Sequence, residues 1–584
     1  MVEKIITANY LEIESGDIYP GEIVIEDGYF KEVIPIACDD EEILDLDYDG
    51  ILIPGFIDSH IHIESSKLVP SYFAEAVLPR GTTSVIADSH EIANVLGMEG
   101  INFMVDNAKD VPFDFYFAAP SCVPATDFET TGAVINCEDI EELLGRDEFV
   151  ALGEMMNFPG VLSGDEEVIS KINIAHEKSK PIDGHAPLLS GADLDNYVSY
   201  GILTDHECST LDEAIEKTLK GVKIMVREGS SAKDMAPLLN ENARLNFWIE
   251  LEKAGVYVGG SLDELLSKAP FDFLVSDDIS SKDLLHGHLD KLLKQAISYG
   301  LAPNEAIKMV TYNPAKHYNL NSGEIAPDKI ANFLLVDNFE DFNIKKVWVH
   351  GELVAEDGNS LIEVPDFDLI NNFKLNPVDS KDFDVNIEME YTNSLMDEYT
   401  TAEVMVATDG MLITDRISAD LLIKNKTVLP DVNKDILKIA VLDRYGKSNI
   451  TNGFIKGFGI KKGAIASSVA HDSHNVIVIG TNSEDMAKAV NLIVDKKGGL
   501  SVVSDDFEEV LELPVAGLMS DKDVNYVADK LKLLGKLTSD LGCELNSPFT
   551  TLSFMALLVI PNLKISDQGL FDLNEFSFVN LIPN

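Results

Sequence analysis

Four histidines and an aspartate stand where metal ligands would stand. His60 and His62 form an HxH triplet in the run ILIPGFIDSHIH (51–62). In a strand, residues two apart share a face, so both imidazoles can converge on one cation. The triplet alone is weak evidence, because capping or surface histidines can have the same spacing. His185 in DGHAP, His206 in TDHEC and Asp277 in VSDD each end another apolar run. Each of these alone is also compatible with a structural role. Together they make an ordered series. Imidazole with carboxylate suits zinc, manganese or iron, and a hydrolytic site rather than a thiolate-bound structural one. Glu154, in ALGEMMNFPG, ends a further run. It can bridge two metals or steer a proton, with helix capping as the alternative. A different zinc-enzyme layout, HxE followed by PCxxC, is excluded: His62-Ile63-Glu64 supplies the first half, but no PCxxC follows.

These residues need a scaffold that gathers strand ends. Residues 51–320 repeat one pattern, a short apolar run ending in polar residues and then a helical stretch. The runs are 51–62, 82–90, 113–119, 149–156, 180–187, 201–207, 222–230 and 271–278. Segments such as EEVISKINIAHEKSK and LDEAIEKTLKG between them are amphipathic. Strands alternating with helices indicate parallel βα units, and eight units are what a (β/α)8 TIM-like barrel requires. That fold carries its functional residues at the C-terminal strand ends, where the histidines and acids cluster. The alternating textures at 1–50 and 322–365 predict a small β-sandwich built from both sides of the barrel (51–321). Residues 366–584 mix strand-like and helical runs and predict a C-terminal α+β domain, so the chain as a whole is of the α/β class.

The chain has 584 residues, 45% hydrophobic and 25% charged, enough to bury a large core. Asp and Glu number 100 against 45 Lys and Arg, a net charge of −55. Such a surface repels nucleic acid and anionic membranes, so neither is an expected partner. Five cysteines without CxxC spacing, and no apolar leader or membrane-length run, predict a cytoplasmic protein.

The motifs also resemble a known family. PGFIDSHIHIESS (54–66) is similar to the opening signature of the amidohydrolase superfamily. GTTSVIADSHEIANVLG (81–97), GEMMNFPGV (153–161), DGHAPLLSG (183–191), HGHLD (286–290), GFGIKKGAIASSVAHDSHNVIVIGTN (457–482) and PFTTLSF (548–554) resemble the adenine deaminases of bacteria and archaea within it. The resemblance implies a site for two divalent metal ions, manganese first with iron or zinc as alternatives. His60, His62, His185, His206 and Asp277 would be ligands and Glu154 would bridge them. Glu154 then takes the place where cyclic-amide hydrolases often carry a carboxylated lysine; ALGEMM has no lysine. It further implies a homodimer, a purine substrate and a role in purine salvage.

The implied reaction replaces the amino group at C6 of adenine with oxygen, giving hypoxanthine and ammonia through a metal-activated hydroxide. Asp277 is the first candidate to move the proton of the water to the leaving amine. Glu154 is a candidate donor to N1, provided its oxygens are not both on metals. His90, at the end of the second run, is a candidate to stabilise the attacked centre. Arg227, Glu228 and Asp278 are candidate substrate contacts, although Arg227 and Glu228 can equally pair with each other. His286 and His288 form a second HxH off any strand, a doubtful ligand pair. His471 and His474 bracket a turn, with the active-site mouth or a domain interface as the functional options. His176, His317 and His350 read as surface residues. The competing readings are another amidohydrolase acting on a cyclic amide or aminated heterocycle, and a non-catalytic scaffold.

Overall fold

The computed structural model describes residues 4–36, 47–256, 258–387 and 398–583. Strands β1 (Lys4–Leu11), β2 (Ile18–Glu26) and β3 (Tyr29–Pro35) form an antiparallel meander. The run 51–62 divides at Gly55. Its first part, β4 (Ile51–Pro54), pairs with β1 and joins the meander's sheet; its second part, β5 (Phe56–Ile61), belongs to the next layer. Gly55 permits the handover, because a Cβ there would lie 2.3 Å from Thr83 Oγ1.

Seven more parallel strands follow β5: β6 (Thr82–Asp88), β7 (Asp114–Ala119), β8 (Phe149–Met155), β9 (Ile182–Gly184), β10 (Thr204–Asp205), β11 (Lys223–Arg227) and β12 (Phe273–Val275). All eight predicted runs contain a strand. Every residue of β5, β6 and β8 is buried, as expected for strands covered on both faces. β5 to β9 form one curled sheet and β10 to β12 another. Parallel bridges link Ile182 to Ile202 and Ile61 to Asp277, so the two sheets touch at both edges. The Asp277 amide donates to the His60 carbonyl at 3.0 Å, placing two candidate ligands at one edge contact. The two amphipathic segments are helices, Glu166–Glu177 capped by Asp165 and Leu211–Leu219 capped by Thr210.

β13 (Phe333–Val336), β14 (Ile344–Val349), β15 (Glu352–Glu356) and β16 (Asn359–Ser360) return to the first sheet, with β13 antiparallel to β4. The result is one eight-stranded sheet drawn from both sides of the middle region. Phe333 stacks on Trp348 at 4.7 Å and tilts against Phe30 at 5.6 Å, tying the two sequence segments into one core.

Residues beyond 398 build a nine-stranded sheet around buried strands such as Ile436–Leu442 and Val476–Gly480, packed by helix Ser483–Lys496. A small antiparallel sheet, 563–579, ends the chain's strands. This unit grips loops of the middle region: Ser520 N donates to Lys67 O, Thr130 N to Asp567 Oδ1 and Asn475 Nδ2 to Thr130 O, all at 2.8 Å.

Close packing between β6 and β8 sets a testable requirement. A Cβ on Gly153 would lie 2.2 Å from Asp88 Oδ2, the oxygen that accepts the Glu154 amide at 2.9 Å. Gly153→Ala must displace Asp88 or β8, at a cost of about 1–3 kcal/mol. Denaturant unfolding should show that loss together with reduced metal content; parental stability would mean the contact relaxes freely.

Candidate metal centre

The strand ends deliver their side chains to one buried cluster. Asp277 Oδ1 lies 3.2 Å from His62 Nε2 and 3.5 Å from His60 Nε2. Glu154 Oε1 lies 3.2 Å from His62 Nε2, while Oε2 lies 2.7 Å from His185 Nδ1 and 3.2 Å from His206 Nε2. One Glu154 oxygen therefore faces the β5 histidines and the other faces those after β9 and β10. The His60 and His206 rings stack at 4.0 Å. In the triads His60–His62–Asp277 and His60–Glu154–His206, the candidate ligand atoms lie within 4.8 Å of one another.

The donor set fits divalent cations. His60 Nε2 and His90 Nδ1 are buried without hydrogen-bond partners, leaving lone pairs that a cation or a proton would satisfy. His62 Nδ1 donates to the Asp88 carbonyl at 3.0 Å, which leaves Nε2 to face the cluster. Cysteine is not part of it: Cys208 lies with Asp205 and Glu213, outside the cluster.

Charge inside the cluster is tightly balanced. Burial disfavours a charged His62 or His206, but Asp277 and Glu154 at the first, and Glu154 and Glu207 at the second, outweigh it and hold both imidazoles well above their usual range. Burial, and then His206, pushes His60 down. Burial would raise Glu154 and Asp277; His185 and His206 instead hold Glu154 well below the carboxylate range, and His60 and His62 do the same for Asp277. Protons shared among these groups are what a metal must displace.

A second layer fixes these side chains. Lys217 is fully buried; its Nζ donates to Ala186 O at 2.6 Å, Asp205 Oδ2 at 2.9 Å and Glu213 Oε1 at 2.8 Å. It thus ties the residue after His185 to the residue before His206. Arg227, the last residue of β11, donates from Nη1 to Asp277 Oδ2 at 3.0 Å, from Nε to Asp234 Oδ2 at 3.1 Å, and from both Nη atoms to Glu207.

Several expected positions change. Arg227 faces the cluster, but its partners are Glu207, Asp234 and Asp277 rather than Glu228. Strand alternation turns Glu228 the other way: it accepts from Met235 N and Gln295 Nε2, both at 3.1 Å, and lies outside the cleft. His90, expected at a strand end, opens the helix His90–Leu96 and still lies 3.6 Å from Glu154 Oε1. Burial opposes its charge, but Asp88 and Glu154 push its pKa up to about 10. Asp278 borders the cleft and accepts from Ser65 Oγ. His288 is a buried structural residue, 2.7 Å from Thr82 Oγ1 and 3.0 Å from Asp58 Oδ2. His317, read as a surface residue, is largely enclosed against Phe273 and Tyr318. His471 borders the cleft and His474 is buried beside it. Sequence reasoning missed Glu207, Asp88 and Asp234. The first two adjoin histidine motifs, a signal that was available; Asp234 had none.

Above the cluster lies a cleft of about 310 Å³. Its rim includes His90, Glu91, Arg227 and Asp278 from the middle region and Leu412, His471 and Phe554 from the C-terminal unit. Comparison with known proteins now identifies the type of site. The amidohydrolase family model matches residues 51–354, and the model of the adenine deaminase C-terminal domain matches 411–577. An adenine deaminase of Methanosphaera stadtmanae is 46% identical over 578 residues, 99% of each chain. That of Methanothermobacter thermautotrophicus is 47% identical over 590 residues, again 99% of each. The chain belongs to the adenine deaminase family of amidohydrolases. Among solved structures, a β-aspartyl dipeptidase of Fervidobacterium islandicum matches 63% of this chain and 100% of its own, with 18% identity and a TM-score of 0.44.

Metal binding should be pH-dependent. Glu154 with Asp277 at His62, and Glu154 with Glu207 at His206, favour the protonated rings, and a proton on either ring competes with a metal for it. Affinity for Mn2+ should therefore fall as pH drops from 8 to 6, by about tenfold per unit for each proton displaced. Equilibrium dialysis against a chelator measures it; a pH-independent affinity would show that the rings are already free of protons.

Proposed function

We propose that the protein hydrolyses adenine to hypoxanthine and ammonia with two divalent metals, manganese first among them. The observation that carries this reading is the Glu154 carboxylate, with one oxygen toward His62 and the other toward His185 and His206. His60, His62 and Asp277 would hold one metal, His185 and His206 the other, and Glu154 would span both. The full-length similarity to adenine deaminases supports adenine as the substrate.

Bound divalent metals would supply an activated water for attack at C6. The remaining tasks fall to side chains. Asp277 keeps one oxygen at the cluster while Arg227 holds the other, so it is oriented to take the proton of the water and return it to the leaving amine. Both Glu154 oxygens face imidazoles, which supports a bridging role over proton delivery to N1. His90, held positive by Asp88 and Glu154, is placed to stabilise negative charge at the attacked ring. Asp278 and Glu91 at the cleft rim are the candidate contacts for the polar ring edge.

The same reading includes a closed (β/α)8 barrel at 51–321, a β-sandwich from 1–50 and 322–365, and a C-terminal α+β domain at 366–584. The edge bridges at Ile61 and Ile182 support the closure, and β4 extends the sandwich segment to Pro54. It also includes a homodimer in the cytoplasm. No helix among the described residues is long and apolar enough to cross a membrane.

The test is ammonia release from adenine after loading the metal-free protein with Mn2+, Fe2+ or Zn2+. His60→Ala and Asp277→Ala should each lower kcat by about a hundred- to a thousandfold, the scale for losing a group that acts on the transition state, and His60→Ala should also lower metal content. Glu154→Gln should keep the fold but lose about one metal per chain. Turnover near the parent's in any of these variants would remove that residue from the site.

A further inference from the structure

The cleft over the cluster is chemically divided. Its floor and the middle-region rim are polar: imidazoles, carboxylates and Arg227. The apolar groups on that side are Met156 and Ala232. The C-terminal unit brings His471 and Asp472 to the same space and, beside them, the apolar side chains of Leu412, Phe554, Leu557, Val559 and Ile560.

This wall is built, not incidental. Lys564 is fully buried, and its Nζ donates to Leu412 O at 2.7 Å and Phe554 O at 3.0 Å, clamping together two segments of the wall. Phe554 ends the helix Pro548–Phe554, and its ring stacks on His471 at 4.9 Å and 15° between planes. The His471 amide also donates to Ser553 O at 3.3 Å, and His471 Nδ1 lies 3.6 Å from Glu91 Oε1, next to His90. The ring plane of Phe554 is therefore fixed from both the C-terminal unit and the middle region.

A purine is polar at its edges and apolar on its faces. Metal ligands and carboxylates can read the edges but give no surface for a face. We propose that the C-terminal domain is the base-recognition half of the active site, with Phe554 and Leu412 covering one face of the bound purine. This rests on the adenine-deaminating reading above and assigns a substrate-contacting role to residues outside the metal-binding region. An aromatic group stacked against a base contributes about 1–3 kcal/mol when removed, roughly five- to 150-fold in affinity.

The experiment compares the metal-loaded parent with Phe554→Ala, Phe554→Leu and Leu412→Ala, using exposed Tyr399→Ala as a control in the same domain. Phe554→Leu keeps an apolar side chain of similar reach and guards against loss of fold in Phe554→Ala. Steady-state ammonia release gives KM and kcat for adenine, and metal analysis and circular dichroism accompany each variant. The expected result is a KM raised about tenfold or more in Phe554→Ala and Leu412→Ala, a smaller rise in Phe554→Leu, parental metal content, and a smaller change in kcat. Tyr399→Ala should match the parent. Parental KM in all three wall variants, with the parent turning adenine over, overturns this inference alone. A metal-loaded parent that releases no ammonia from adenine overturns the activity and this inference with it.

Discussion

One buried carboxylate organises the centre of the molecule. Glu154 is 4% exposed and lies among imidazoles from three other strand ends and from the helix start at His90. An ionised carboxylate in that position is tolerable only if positive charge meets it on every side. Imidazoles approach from the ends of β5, β9 and β10, parallel strands whose ends lie together, and His90 joins them from a helix start. The barrel-like arrangement supplies this charge balance as well as following from the apolar runs. Asp88 completes it from β6 by accepting the Glu154 amide, and the absence of a side chain at Gly153 lets it come close enough.

Basic residues are scarce in this chain, 45 against 100 acidic ones, and several are spent deep inside. Lys217 meets Asp205 and Glu213 with no exposure, and Arg227 meets Glu207, Asp234 and Asp277. Both sit directly behind candidate ligands. Such pairs contribute little net stability compared with apolar packing, but losing one partner leaves a buried charge uncompensated. Their value here is geometric. Lys217 fixes the two loops that carry His185 and His206, and Arg227 holds the Asp277 oxygen that does not face the histidines.

The candidate ligands were legible because their chemistry is carried by residue type and strand-end position. His60 and His62 share a face by strand periodicity, and His185, His206 and Asp277 end apolar runs that are strands in the fold. Helix starts were harder: His90 follows its strand by two residues and faces the cluster from a helix. Glu228 shows the limit of reading a motif as a unit, since alternation sends it and Arg227 to opposite sides. Asp234 and Leu412 were invisible because only tertiary folding brings them near. His317 reads as exposed on a helix of six residues, yet the neighbouring strand covers it. Gly55 marks a boundary that composition blurs, because β4 and β5 form one continuous apolar run that serves two sheets.

The C-terminal unit matters to the chemistry through dielectric as well as contact. Charges in the cluster interact more strongly when water is excluded, and preoriented groups such as Arg227 and His90 then act without reorganising. Among the residues lining the cleft, the middle region contributes Met156 and Ala232 as apolar groups. Leu412, Phe554 and their neighbours line the other side, and hydrogen bonds from Ser520 to Lys67 and from Thr130 to Asp567 join the two units. A polar ligand floor and an apolar cover are thus assembled from chain segments more than 250 residues apart, as His62 and Leu412 show. With the floor as the proposed metal site and the cover as the proposed base contact, metal affinity and base affinity would be separable by mutation even though the two surfaces meet in one cleft.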